Sequence, residues 1–161
     1  MLSVVEVVPS RRDVVADGHG NRGGHGADIA MRLLALMMVR NAEATLGRVL
    51  DGIAEFCDGI VVVEDRSDDN TQQVVREHPL VCQATFISGS NLPSRDWVID
   101  EGILLNRLYR MAERETADWI VRFDVDETVA HGTTLRAVLE RQGSDVSAVR
   151  FPKVSTWNDP K

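Results

Sequence analysis

No stretch of this sequence comes near the roughly 20 consecutive apolar residues that cross a bilayer. The longest run, Leu33 to Val39, is the length of a strand. Cysteine is scarce: Cys57 and Cys82 are the only two, and their separation matches no metal-ligand spacing. That excludes a disulfide framework and a zinc module, and predicts two buried free thiols in a reducing compartment. An excess of basic residues is also lacking. The net charge is -7, whereas a nucleic-acid binder carries a basic face. A secretion signal is missing too, because Arg11, Arg12 and Asp13 interrupt the apolar start from Met1 to Val8. The expectation is a cytoplasmic protein with no transmembrane segment and no nucleic-acid partner, with room for peripheral contact at a membrane.

What is present suits one globular domain. The 161 residues are 43% hydrophobic and 27% charged, ordinary proportions for a soluble chain long enough to bury a core. Residues 1–28 read as a flexible leader, since five glycines fall between Asp17 and Gly26 and their backbone is costly to order. Residues 29–161 read as the folded part.

In that part strands and helices alternate. Leu33 to Val39 and Ile60 to Val63 are continuous apolar runs, the pattern of strands buried on both faces. Leu46, Val49, Leu50, Ile53 and Phe56 recur at helical spacing between them. A short helix follows around Val74 and Val75, with Asp68 or Asp69 as its cap, and Pro79 ends it. Cys82 to Ile87 is a weaker strand. A helix from Val98 to Glu115, a strand from Trp119 to Phe123, a helix from Gly132 to Leu139 and a strand from Val146 to Phe151 complete the series. Such alternation predicts an α/β fold with a mainly parallel sheet and right-handed crossovers. Ligands in such sheets bind beyond the carboxyl ends of the strands.

Two strands end in acidic clusters. Ile60 to Val63 runs into Glu64, Asp65, Arg66, Ser67, Asp68, Asp69 and Asn70. Trp119 to Phe123 runs into Asp124, Val125, Asp126 and Glu127. Residues i and i+2 of a strand point to one side, so Asp124 and Asp126 are expected to meet a single divalent cation. A hard ion such as Mg²⁺ or Mn²⁺ takes carboxylate oxygens and leaves positions for phosphate. The Glu64–Asp65 pair is placed to accept hydrogen bonds from a base or a ribose.

Three segments in this order resemble family 2 glycosyltransferases of the GT-A fold: Met38-Val-Arg-Asn-Ala-Glu43, Val61-Val-Val-Glu-Asp-Arg-Ser-Asp-Asp-Asn-Thr71, and Asp118-Trp-Ile-Val-Arg-Phe-Asp-Val-Asp-Glu127. The resemblance covers residues 32 to 155. It implies a three-layer α/β/α, Rossmann-like GT-A fold whose C-terminal part is missing. It also implies a nucleotide-sugar donor, a Mg²⁺ or Mn²⁺ cofactor, and a saccharide, lipid-linked or peptide acceptor. By this likeness Arg40, Asn41 and Glu43 lie by the nucleotide, Asp65 or Glu64 contacts the base or ribose, Asp124 approaches the ribose, and Asp126 holds the metal. Arg66 stands where the family often has glycine. The family's catalytic base falls beyond Lys161, apart from Asp159 as a weak candidate, so donor binding rather than turnover is the expected capacity.

Three readings compete. Phe123-Asp-Val-Asp-Glu-Thr-Val129 also resembles the first motif of haloacid dehalogenase-type phosphatases, with Asp124 as nucleophile and Asp126 as acid/base. That family needs a later lysine followed by acidic residues, and Lys153 and Lys161 are the only lysines. A response-regulator receiver would use Asp124 as phosphoacceptor, but the separation of 59 residues from Asp65 to Asp124 is too long for its two intervening units. The third is a non-catalytic nucleotide-binding remnant.

Overall fold

The computed structural model describes residues 3–9, 31–88, 97–143 and 145–153. Among the described residues the fold is mixed α/β with six strands and four helices: β1 (Ser3–Pro9), β2 (Leu33–Val39), α1 (Glu43–Ala54), β3 (Gly59–Asp65), α2 (Thr71–Glu77), β4 (Val81–Ile87), α3 (Trp97–Ala112), β5 (Trp119–Phe123), α4 (Gly132–Leu139) and β6 (Val149–Lys153). The strands form one sheet in the order β4-β3-β2-β5-β1-β6. The four neighbours β4, β3, β2 and β5 are parallel, and β1 runs antiparallel between β5 and β6.

The sheet is covered on both sides, which gives three layers. Leu46, Val49, Leu50 and Ile53 of α1, Val75 of α2, and Leu135 and Leu139 of α4 pack on one face against Leu33, Ala35, Met37, Ile60, Val62 and Phe123. On the other face Leu104, Leu108, Met111 and Ala112 of α3 pack against Leu34, Leu36, Val61, Val63 and Ile120. Strands β2 and β3 feed both clusters, which is why their sequences are apolar without alternation.

This layering sets a switch point in the sheet. From β2 the chain steps outward to β3 and β4 with α1 and α2 on one face. It then returns to the far side of β2 as β5, with α3 on the opposite face. Right-handed crossovers require that change of face when the direction of stepping reverses. The reversal lies between β2 and β5, and a crevice opens outside the carboxyl ends at such a switch point.

Several expectations need correction. Ser3–Pro9 falls within the expected leader, yet it is a strand paired on both edges, with Val7 opposite Val121 and Val149. The β-branched valines of this segment suit a pleated surface, and the glycines that suggested a leader begin only at Gly18. The glycine-rich stretch, with His19 and His25, lies outside the described residues. The last strand is Val149–Lys153 rather than Val146 to Phe151. The long helix spans Trp97–Ala112, and its C-terminal turn at residues 113–115 is no longer helical. Of the two cysteines, Cys57 is buried but Cys82 is exposed, because β4 is an edge strand with one flank unpaired among the described residues. No helix among the described residues is long and apolar enough to cross a membrane.

Candidate functional site

Two loops leave the carboxyl ends of β2 and β3, and a reciprocal set of hydrogen bonds ties them together. The backbone N–H of Asn41 donates to Ser67 Oγ at 2.9 Å, that of Ala42 to Thr71 Oγ1 at 2.7 Å, and that of Glu43 to Asp69 Oδ2 at 3.0 Å. In the other direction, the Asp68 N–H donates to Asn41 Oδ1 at 3.0 Å. Asn70 donates to both Glu43 carboxylate oxygens, at 3.2 and 2.7 Å. These bonds satisfy N–H groups that the first turn of α1 cannot satisfy itself. Ala42 is therefore tolerated as the N-cap although it offers no side-chain cap. Asp69 also accepts the Thr71 N–H at 2.9 Å, so it takes the capping bond at α2 from the residue before its N-cap, Asn70.

Each loop turns through one left-handed residue, Asn41 at φ 48° and Arg66 at φ 54°. Asparagine enters that region easily; for arginine it costs about 1 kcal/mol or more. This conformation explains why glycine suits the position of Arg66. Arg66 folds back on Asp65, its Nε donating at 2.6 Å and its Nη2 at 3.1 Å. Arg40 approaches the same carboxylate from β2 at 3.8 Å, with half its own side chain exposed. Asp65 is thus a buried carboxylate between two guanidinium groups.

Glu64 does not share that setting. The strand continues through both acidic residues, since Glu64 pairs in register with Val39 and Phe86. Neighbouring residues of a strand face opposite sides. Asp65 follows Val61 and Val63 onto the α3 face, and Glu64 follows Ile60 and Val62 onto the other. Glu64 is fully buried, its Oε1 accepts the Ser67 N–H at 2.6 Å, and its Oε2 has no partner. It braces the β3–α2 loop from inside.

On the far side of β2, β5 stops at Phe123 and the chain turns at once. The Glu127 N–H donates to the Asp124 carbonyl at 3.0 Å, and Glu127 Oε2 accepts the Asp124 N–H at 3.1 Å. A turn therefore presents Asp124 and Asp126, not the extended i, i+2 geometry assumed from sequence. Asp124 is half exposed and takes one long contact from Arg122 Nη2 at 3.4 Å. The Asp126 side chain is exposed. Glu127, which the sequence reading passed over, secures this turn.

The parallel register places these pieces at one rim. Phe123 lies level with Met37, and Val39 level with Glu64, so β2 separates the two acidic strand ends. Arg40 and Asn41 stand between Asp65 on one side and Asp124 on the other. The structure thus brings Arg40, Asp65, Asp124 and Asp126 to the switch point and commits Asn41 and Glu43 to the loop clamp. Asp159 lies outside the described residues. Among the described residues no group of three or more His, Cys, Asp or Glu side chains is gathered as a metal cluster.

The chain is 40% identical over 131 residues to the uncharacterized protein Rv3786c of Mycobacterium tuberculosis strain H37Rv, and equally to the uncharacterized protein Mb3815c of Mycobacterium bovis. Each match takes in 81% of this chain and 32% of the relative. The chain thus spans about a third of the length of these curated relatives. No family model matches. Among solved structures, that of S. aureus TarS is similar over 68% of this chain and 19% of its own, with 19% identity and a TM-score of 0.47.

Proposed function

We propose that the switch point binds a nucleoside diphosphate-sugar and that the domain serves metal-dependent glycosyl transfer, in the manner of family 2 glycosyltransferases. The observation that carries this reading is the placement of Asp65 and of the Asp124–Asp126 turn at one rim, on either side of Arg40. Two such ends offer carboxylates to a cation and to a nucleotide, and the three sequence segments that resemble the family supply every residue involved.

In this reading Asp65 accepts hydrogen bonds from the base or ribose, with Arg66 and Arg40 beside it. Asp124 faces the ribose. The Asp124 and Asp126 carboxylates have the donor chemistry for Mg²⁺ or Mn²⁺: hard oxygens, exposed, and only loosely engaged by the protein. Two carboxylates suffice when phosphate oxygens and water complete the shell, as is usual for Mg²⁺. When bound, the ion neutralises charge that builds on the departing diphosphate. The loop clamp of Asn41, Glu43, Asp69 and Thr71 fixes the rim in advance, which reduces the ordering cost of binding. The acceptor, whether saccharide, lipid-linked or peptide, and the base that deprotonates it belong to the activity of the whole protein.

Calorimetric titration of UDP and GDP, with and without Mn²⁺, tests the proposal on wild type and Asp126→Ala. The expected result is binding that requires the metal and disappears in the variant. Absence of nucleotide binding under every condition would leave a domain with this fold and no donor site.

A further inference from the structure

Arg122 takes no part in the loop clamp and touches the acidic turn only through Asp124, yet it is the one charged side chain in an otherwise apolar strand, Trp119–Phe123. Alternation along β5 puts it on the same face as Ile120, the face on which Asp65 and Arg40 also lie. Helix α3 runs across β2 and β3 on that face, and Arg122 remains 38% exposed. Its backbone is level with Leu36, four residues below Arg40, or about 13 Å at strand spacing. Its guanidinium spans part of that interval, reaching Asp124 Oδ1 at 3.4 Å.

That ion pair is weak. A tight charge-assisted bond between guanidinium and carboxylate measures about 2.7–2.9 Å and is often two-pronged; this contact is long and single. The Arg40–Asp65 contact, at 3.8 Å, is looser still. By contrast, Arg66 is held on Asp65 through two nitrogens. Two half-exposed, weakly held guanidinium groups therefore flank the switch point from β2 and from β5. A diphosphate approaching a rim that carries Asp65, Asp124 and Asp126 meets repulsion unless cations offset it.

Resting on the nucleotide reading above, we propose that Arg122 is a diphosphate-binding residue: its guanidinium leaves Asp124 and donates its planar fork to the phosphate oxygens of the nucleoside diphosphate. The fork matches phosphate geometry in a way that an ammonium does not. Exchange of Asp124 for phosphate also releases the aspartate toward the ribose or the cation.

The test compares nucleoside diphosphates with bare nucleosides. Binding of UDP and GDP is titrated in the presence of Mn²⁺ by calorimetry. Binding of uridine and guanosine is followed by ligand-observed NMR. Both are done on wild type, Arg122→Gln and Arg122→Lys, with thermal melts to confirm folding. Arg122→Gln is expected to weaken the diphosphate about tenfold or more, the effect of losing a charged hydrogen bond, and to leave the nucleoside unchanged. Arg122→Lys should fall between. An equal loss for diphosphate and nucleoside would mean that Arg122 acts through the fold or through Asp124, and would overturn the proposal. Unchanged diphosphate affinity in Arg122→Gln would overturn it while the nucleotide reading stands. Failure of the wild type to bind either diphosphate would remove both.

Discussion

The backbone N–H of Ala42 donates to Thr71 Oγ1 at 2.7 Å across 29 residues of sequence, and the bond is buried. Thr71 is itself fully buried, and its hydroxyl donates onward to the Asp69 carboxylate. One hydroxyl therefore joins the start of α1 to the loop that opens α2. Replacing it with a methyl group of similar size leaves a buried N–H without an acceptor, at a cost of about 1–3 kcal/mol. Thr71→Val should accordingly lower the melting temperature by about 5 °C for a chain of this size. Thr71→Ser, which keeps the hydroxyl, should recover most of the loss.

Asp69 makes the same clamp sensitive to acid. The Thr71 hydroxyl, and after it the backbone N–H groups of Thr71 and Glu43, favour the ionised carboxylate and hold its pKa below the ordinary 3.8. A carboxyl depressed on folding contributes stability that is present above its unfolded value and lost as pH falls through the folded one. Urea denaturation followed from neutral pH down past 3.8 should show stability falling at the acidic end. Asp69→Asn cannot ionise, so it should be less stable at neutral pH and show a shallower acidic slope. An unchanged slope in that variant would assign the acid sensitivity to other carboxylates.

The β2–α1–β3–α2 half of the fold was legible in the sequence because each element carries its own period. The apolar runs from Leu33 and Ile60 and the helical spacing from Leu46 to Ile53 match the observed elements to within a few residues. Segment β1 was not legible, since its partners β5 and β6 lie more than a hundred residues away and local composition cannot announce a pairing. At the rim, sequence spacing located the two acidic strand ends but not how their residues divide between the faces of the sheet. Glu64 and Asp65 are adjacent letters with opposite facings, a difference that follows only once the strand is known to continue through both. Asn41 and Glu43 read as nucleotide-binding residues by resemblance, while the structure shows them in loop-to-loop bonds, which call on the same polar side chains as ligand contacts.

Gly132, the first residue of α4, lies flat against the Phe56 ring, and a Cβ added there would overlap it. Phe56 also meets Phe123 edge-on, with centroids 6.1 Å apart, so the ring has little freedom to retreat. Alanine normally favours a helix over glycine by about 1 kcal/mol. Overpacking of a filled core costs about 1–3 kcal/mol and should prevail here. Gly132→Ala is expected to lower the denaturation midpoint, and pairing it with Phe56→Leu should restore part of the loss. A stabilised single variant would show that α4 can shift away from the ring.

The two thiols should behave differently although neither is paired. Burial, followed by the nearby Asp58 carboxylate, pushes the Cys57 thiol far above its usual range. Cys82 sits on the edge strand β4 and is exposed, while its S–H donates to the Ile60 carbonyl at 3.4 Å. Its pKa is also raised, chiefly by partial burial and then by Glu115. Thiolate is the reactive form, so Cys82 should react with a disulfide reagent more slowly than free cysteine, and Cys57 should not react until the chain unfolds. Titration of the native protein is then expected to label Cys82 alone, Cys82→Ser to remove that labelling, and denaturant to expose Cys57. Rapid labelling of Cys57 in the native state would mean that the packing of Phe56 and α4 over the end of β3 opens readily, and with it the core that supports the acidic rim.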